Sequence, residues 1–199
     1  MTASREEEMR RSPLHGALVE PSVVVDVARV PAGLLVGVLV PVGQAWALAM
    51  ALAVILLVAA WHASPLATRW RAALAGEMRL VEPLTGSLYR LTVFAAFLAA
   101  GWFPAWALVL LFGRELVVPY ARAAVRQRGR DLPARTSDAW LFFTHCAVQA
   151  GLGALVLAAG GASTAEPGVS GAALATVAVA ASVWSFADHV AEASRLTRS

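Results

Sequence analysis

The chain has no lysine, and all sixteen of its basic residues are arginine. That bias fits a GC-rich coding sequence better than a selected function, although the planar donor fork of arginine also suits phosphate and lipid head groups. Its single cysteine, Cys146, excludes an intrachain disulfide and a thiolate metal cluster, and reads as a small buried hydrophobe. The first twenty residues, MTASREEEMRRSPLHGALVE, contain no apolar h-region and no small-residue cleavage site, so no secretory signal peptide is expected. No internal repeat or low-complexity domain is visible. Polar surface is scarce as well: 59% of the 199 residues are hydrophobic and mean hydropathy is +0.66. A water-soluble core of that size cannot hide so many apolar side chains, which makes this a membrane protein.

Crossing about 30 Å of hydrocarbon as helix takes about twenty apolar residues. Six such runs occur, roughly at 23–42, 45–63, 83–101, 103–121, 139–160 and 171–188. Turn chemistry separates them at Pro41, Gly43 and Gln44, at Gly101 and Pro104, and between Gly160 and Gly171 around Pro167. Those three connections contain no arginine. By contrast Arg69, Arg71 and Arg79 follow the second run, Arg122, Arg126, Arg128, Arg130 and Arg135 follow the fourth, and arginines flank both ends of the chain. The positive-inside rule then places both termini and both arginine-bearing loops in the cytoplasm. The expectation is an all-α, polytopic, six-span protein of the inner (plasma) membrane, with a disordered polar tail over 1–20 and a helical transmembrane domain over 21–199. Trp46, Trp102 and Trp106 fall at outer boundaries and Trp61, Trp70 and Trp140 near inner ones, as interfacial anchors do. Nothing in this pattern calls for nucleic acid; membrane lipids are the expected surroundings.

Between the second and third runs the chain reads WHASPLATRWRAALAGEMRLVEPLTG, from Trp61 to Gly86. This resembles the signature of the CDP-alcohol phosphatidyltransferases, D-x-x-D-G-x-x-A-R-x8-G-x-x-x-D-x-x-x-D. With Arg69 on the signature arginine, Trp61 and Ser64 stand at the first two aspartates, Pro65 at the first glycine and Thr68 at the alanine. Met78 takes the second glycine, Glu82 the third aspartate and Gly86 the fourth. Further on, Arg114 in LFGRELVV resembles the Arg-Glu element of the phosphatidylglycerophosphate and cardiolipin synthase branch. Arg135 with Thr136 resembles the basic-Thr pair opening its fifth helix, although the glutamine expected three residues later is Ala139.

The resemblance implies a six-helix bundle in which the aspartates hold divalent metal ions against the CDP-alcohol diphosphate, and the last of them deprotonates the acceptor hydroxyl. Hard cations need oxygen ligands and neutralise charge on the transferred phosphoryl group. Here an indole at Trp61 cannot ligate, Ser64 offers one neutral oxygen and Gly86 offers no base. Glu82 alone supplies a carboxylate, and Glu77, five residues earlier, lies on another helix face. Pro65 and Met78 restore side-chain bulk where glycines let a nucleotide approach. The expected protein is thus a phosphatidyltransferase-like pseudoenzyme with no catalytic residue and no cofactor, retaining Arg69, Arg114 and Arg135 as anion-binding groups. As family members pair through membrane helices, it is expected as a homodimer, or as a heterodimer with an active synthase paralogue, tuning phospholipid synthesis. The alternative is a working enzyme that moves a phosphatidyl group from CDP-diacylglycerol to a phosphate-bearing alcohol such as glycerol 3-phosphate, with Mg or Mn held at Glu82. A transporter is disfavoured because no acidic or amidic residue lies deep in the second run to coordinate a moving ion.

Arg114 also stands out on physical grounds, since a charge inside a span must be paired or face a wet cavity. Adjacent Glu115, or Glu82 on the neighbouring helix, would serve as an internal partner, and Arg90 faces the same choice. His145 and Gln149, four apart, share a face suited to interhelical hydrogen bonds. His62 reads as an interfacial polar residue, Asp26 and Arg29 as a local pair, and Asp188, His189 and Glu192 as a solvated helix end. Arg126, Arg128 and Arg130 read as a basic loop attracted to anionic head groups, at about 1 kcal/mol each.

Overall fold

The computed structural model describes residues 21–65, 67, 81–130, 132, 136–161 and 168–198, the side chains of 21–26, 81–83 and 198 excepted. Six helices occupy the six apolar runs: α1 Pro21–Val42, α2 Ala45–Ala63, α3 Val81–Ala99, α4 Ala105–Arg126, α5 Thr136–Ala158 and α6 Val169–Arg198. Three of them, α2, α5 and α6, are long and apolar enough to cross a membrane. At about 1.5 Å rise per residue, the 19 residues of α2 and 23 of α5 match the hydrocarbon thickness. In α1 and α3 the apolar stretches are shorter, Val27–Val42 and Leu84–Ala99, and α4 is interrupted by Arg114, Glu115 and Arg122. Two ends differ most from the sequence-based limits: α4 runs on to Arg126, and α6 continues ten residues beyond 188 to Arg198.

The helices form a closed ring in the order α1, α2, α5, α6, α4, α3, with α3 also touching α5 across the middle. The α1–α3 contact is close because α1 presents Gly33 and Gly37 on one face. A Cβ on Gly33 would lie 3.2 Å from the Tyr89 Cα, and one on Gly37 would lie 3.4 Å from the Thr92 methyl. This is the small-xxx-small device by which membrane helices approach each other. Gly33→Leu is expected to cost about 1–3 kcal/mol through overpacking, read as a lower unfolding temperature of the detergent-solubilised protein. At one end of the bundle the α1–α2 and α5–α6 turns meet. Gly43 and Gly161 both take positive φ, 70° and 79°, and a Cβ on Gly161 would fall on the Gly43 carbonyl. Only glycine fits there, for conformation and for space alike.

The interior is divided along its length. Towards the Gly43/Gly161 end it is apolar, built from Val36 and Val40 of α1, Leu48 and Ile55 of α2, Phe94 and Phe97 of α3, Leu111 of α4, Leu152 and Val156 of α5 and Ala175 of α6. Towards the opposite end the buried positions become polar: Arg29, Thr85, Arg114, Ser137, Ser185 and His189. Cys146 is buried, as its reading from sequence requires. Of the tryptophans placed at boundaries, Trp46, Trp106 and Trp140 are exposed, whereas Trp102 is buried beside Phe103. The turn at Gly101 folds its indole inward, its amide donating to the Phe97 carbonyl at 2.8 Å.

Candidate functional site

The polar half of the interior is a chain of arginines and carboxylates running from α3 through α4 to α5 and α6. Its centre is Arg114. From the middle of α4 its Nη1 donates to Glu115 Oε1 at 3.2 Å, and its Nη2 donates to Asp138 Oδ1 at 2.8 Å and to Ser185 Oγ at 2.9 Å. One guanidinium therefore joins the first turn of α5 to α6. Glu115 accepts a second arginine, Arg90 of α3, whose Nη2 lies 2.8 Å from the same Oε1, and the Ser87 hydroxyl donates to its other oxygen. Asp138 likewise serves two cations, for Arg122 Nη2 lies 2.9 Å from its Oδ2. Three arginines and two carboxylates alternate, so each acid sits between two guanidinium groups. Such pairing is what makes a charge tolerable away from water.

His189 closes the chain on α6 and is fully buried. Its Nδ1 lies 2.8 Å from the Ser185 carbonyl; a carbonyl only accepts, so Nδ1 carries the proton. Its Nε2 lies 3.2 Å from both Arg122 Nη2 and Asp138 Oδ2, which joins α6 to the end of the arginine–carboxylate chain. The expectation of a solvated helix end at Asp188, His189 and Glu192 fails for His189, which the ring order turns inward against α4 and α5. Asp188 accepts from the Ser137 hydroxyl at 2.6 Å. Deeper in, His145 Nε2 lies 3.0 Å from Ser182 Oγ and 3.2 Å from the Ala178 carbonyl of α6, and Gln149 donates to the Arg90 carbonyl of α3 at 3.3 Å. Both are interhelical bonds, as their shared face implies.

A second group of polar residues adjoins this chain. Arg29 Nη2 of α1 lies 3.1 Å from His62 Nδ1 at the end of α2, and the His62 ring lies against Phe142 of α5 with centroids 3.6 Å apart. His62 is half-buried, held between α1 and α5 at the end of α2. Beyond the polar end of the bundle, Arg128 and Arg130 donate to the Thr197 and Leu196 carbonyls at 3.1 and 2.7 Å, which caps the C-terminus of α6, where a helix favours cations.

Of the positions singled out by the signature resemblance, Trp61 is half-buried in the last turn of α2. Ser64 accepts a hydrogen bond from the Ala67 amide at 3.1 Å, a helix-end role. Gly86 lies in α3 under Arg90 and Arg29. Glu82 is in the first turn of α3 with its side chain outside the described residues, and Arg69 and Arg135 also lie outside them. Arg114 is therefore the one anticipated anion-binding arginine with described contacts, and it is engaged by Glu115, as anticipated, and by Asp138 and Ser185, which were not. Among the described residues no three His, Cys, Asp or Glu side chains approach closely enough to hold a metal ion.

No protein-family model, curated protein or solved structure matches the chain. Fold and site define a class: an all-helical membrane protein with an apolar half and a buried arginine–carboxylate half.

Proposed function

We propose that the chain spans the inner membrane six times, both termini in the cytoplasm, and is a CDP-alcohol phosphatidyltransferase-like protein that has lost the transfer chemistry and acts as a partner or regulator of phospholipid synthesis. The observation that carries this reading is at Gly86. The resemblance puts a general base there, yet the position has no side chain, and the groups nearest to where a Cβ would stand are the guanidiniums of Arg90 and Arg29. Two further facts support it. The Ser64 hydroxyl is occupied by the Ala67 amide, and both carboxylates of the polar chain, Glu115 and Asp138, are taken up by arginine. Carboxylates neutralised in that way are poor ligands for a hard cation.

The decisive assay uses the purified full chain with radiolabelled CDP-diacylglycerol, glycerol 3-phosphate and either Mg or Mn. The expected outcome is no turnover above a protein-free control. Turnover that Glu82→Ala abolishes would instead establish the working enzyme. The partner role is checked by affinity purification from the native membrane in mild detergent, where an active synthase is expected to co-elute; a strictly lone homodimer would count against it.

A further inference from the structure

His189 stands on α6 between the two helices that α6 packs against, α4 and α5, and one of its ring atoms touches both. Nδ1 carries a proton held by the Ser185 carbonyl at 2.8 Å. Nε2 lies 3.2 Å from Arg122 Nη2 of α4 and 3.2 Å from Asp138 Oδ2 of α5. Arg122 only donates, and the Asp138 carboxylate, held by two guanidiniums, only accepts. No single protonation state of the ring therefore satisfies both contacts. A bare Nε2 accepts from Arg122 and sets its lone pair against a carboxylate oxygen. A protonated Nε2 donates to Asp138 and sets an imidazolium against a guanidinium. The ring itself is fully buried, whereas the side chains of Arg122 and Asp138 are 27% and 31% exposed, so solvent reaches the pair that flanks it.

We propose that His189 is a protonation latch: with Nε2 bare it ties α6 to α4 through Arg122, and with Nε2 protonated it ties α6 to α5 through Asp138. One proton is taken from the adjoining water and one N–H bond forms; nothing else is transferred. Histidine is the side chain whose charge changes between about pH 5 and 8. The charges around the ring oppose one another, which lets a single proton decide. From α4, Arg122 favours the neutral ring, as does Arg114, which reaches Asp138 Oδ1 and Ser185; Glu115 offsets Arg114, and Arg126 lies one turn beyond Arg122. From α5, Asp138 favours the imidazolium. On α6 itself, Asp188 is hydrogen-bonded to Ser137 and Glu192 is paired with Arg195. Arg122 also holds Asp138 Oδ2 at 2.9 Å, a bridge between α4 and α5 that does not involve the ring, so the latch changes which helix α6 grips. It needs no transfer chemistry and stands apart from the phosphatidyltransferase reading.

The test follows the full-length protein, with isotope-labelled histidine and in lipid nanodiscs, by NMR from about pH 5 to about pH 9, a range that brackets histidine titration. His189→Gln identifies the His189 signals by their loss. Nδ1 is expected to stay proton-bearing throughout, while Nε2 passes from protonated to bare as pH rises. Arg122→Gln removes the cation that opposes the imidazolium and is expected to move that midpoint up by about 1 pH unit or more; Asp138→Asn removes the anion that favours it and is expected to move it down by as much. Arg122 is the more exposed and less heavily bonded of the two, so its variant keeps the test decisive should the asparagine not fold. Hydrogen exchange reads the grip of α6, each pH being compared with His189→Gln at that pH. The unmodified protein is expected to protect the first turn of α5 more below the midpoint than above it, and the last two turns of α4 more above it than below. A ring that keeps one charge over the whole range, a neutral ring protonated at Nε2, a midpoint that Arg122→Gln leaves in place or lowers, or a titration with unchanged exchange ratios overturns the proposal.

Discussion

Replacing Arg114 with methionine is expected to destabilise the bundle by about 3–5 kcal/mol, the usual consequence of breaking a buried ion pair from one side. For a chain of this size that is a fall in Tm of about 10 °C or more, measured in one detergent and lipid composition. Volume is not the cause, since methionine fills much of the space of the arginine stem. The cause is what remains: Asp138 keeps Arg122 but loses its 2.8 Å partner, Glu115 keeps Arg90 alone, and Ser185 loses a donor. Arg114 is also the residue through which α4 holds α5 and α6 at the polar end, so the loss should appear first as faster hydrogen exchange in the opening turns of α5. Arg114→Lys retains the charge but cannot reach three acceptors with one rigid fork, and an intermediate loss is expected. A lysine variant as stable as the unmodified protein would show that charge alone, and not the fork, holds the three helices.

That arrangement was only half legible in the sequence. Hydropathy and the arginine-free turns located all six helices, because an apolar run of membrane length leaves little choice of conformation, and Arg114 announced itself as a charge inside such a run. Its principal partner did not. Asp138 lies twenty-four residues later on α5, and only the ring order, in which α4 borders α3 and α6 rather than α5, turns both residues into the same interior. His189 was misread because Asp188, Glu192 and Arg195 surround it in sequence. A signal was nevertheless present: Ala175, Ala178, Ser182, Ser185 and His189 are all buried and recur at alternating spacings of three and four, one continuous core stripe whose last members happen to be polar. The Gly33 and Gly37 pair was likewise readable as a contact face, although not which helix it would meet.

Glu115→Leu is expected to match the Arg114 variant in cost, about 3–5 kcal/mol, because it leaves Arg90 and Arg114 buried with no carboxylate between them. Adding Arg90→Met should recover most of the loss. The double variant removes one cation with its anion, leaves Arg114 paired to Asp138, and puts apolar side chains where a desolvated ion pair had stood, an exchange that is often neutral or stabilising. Residues in one network couple in this way, and the coupling is read as the failure of the two single changes to add. A double variant that stays as unstable as Glu115→Leu would mean that Arg90 anchors α3 by contacts independent of Glu115.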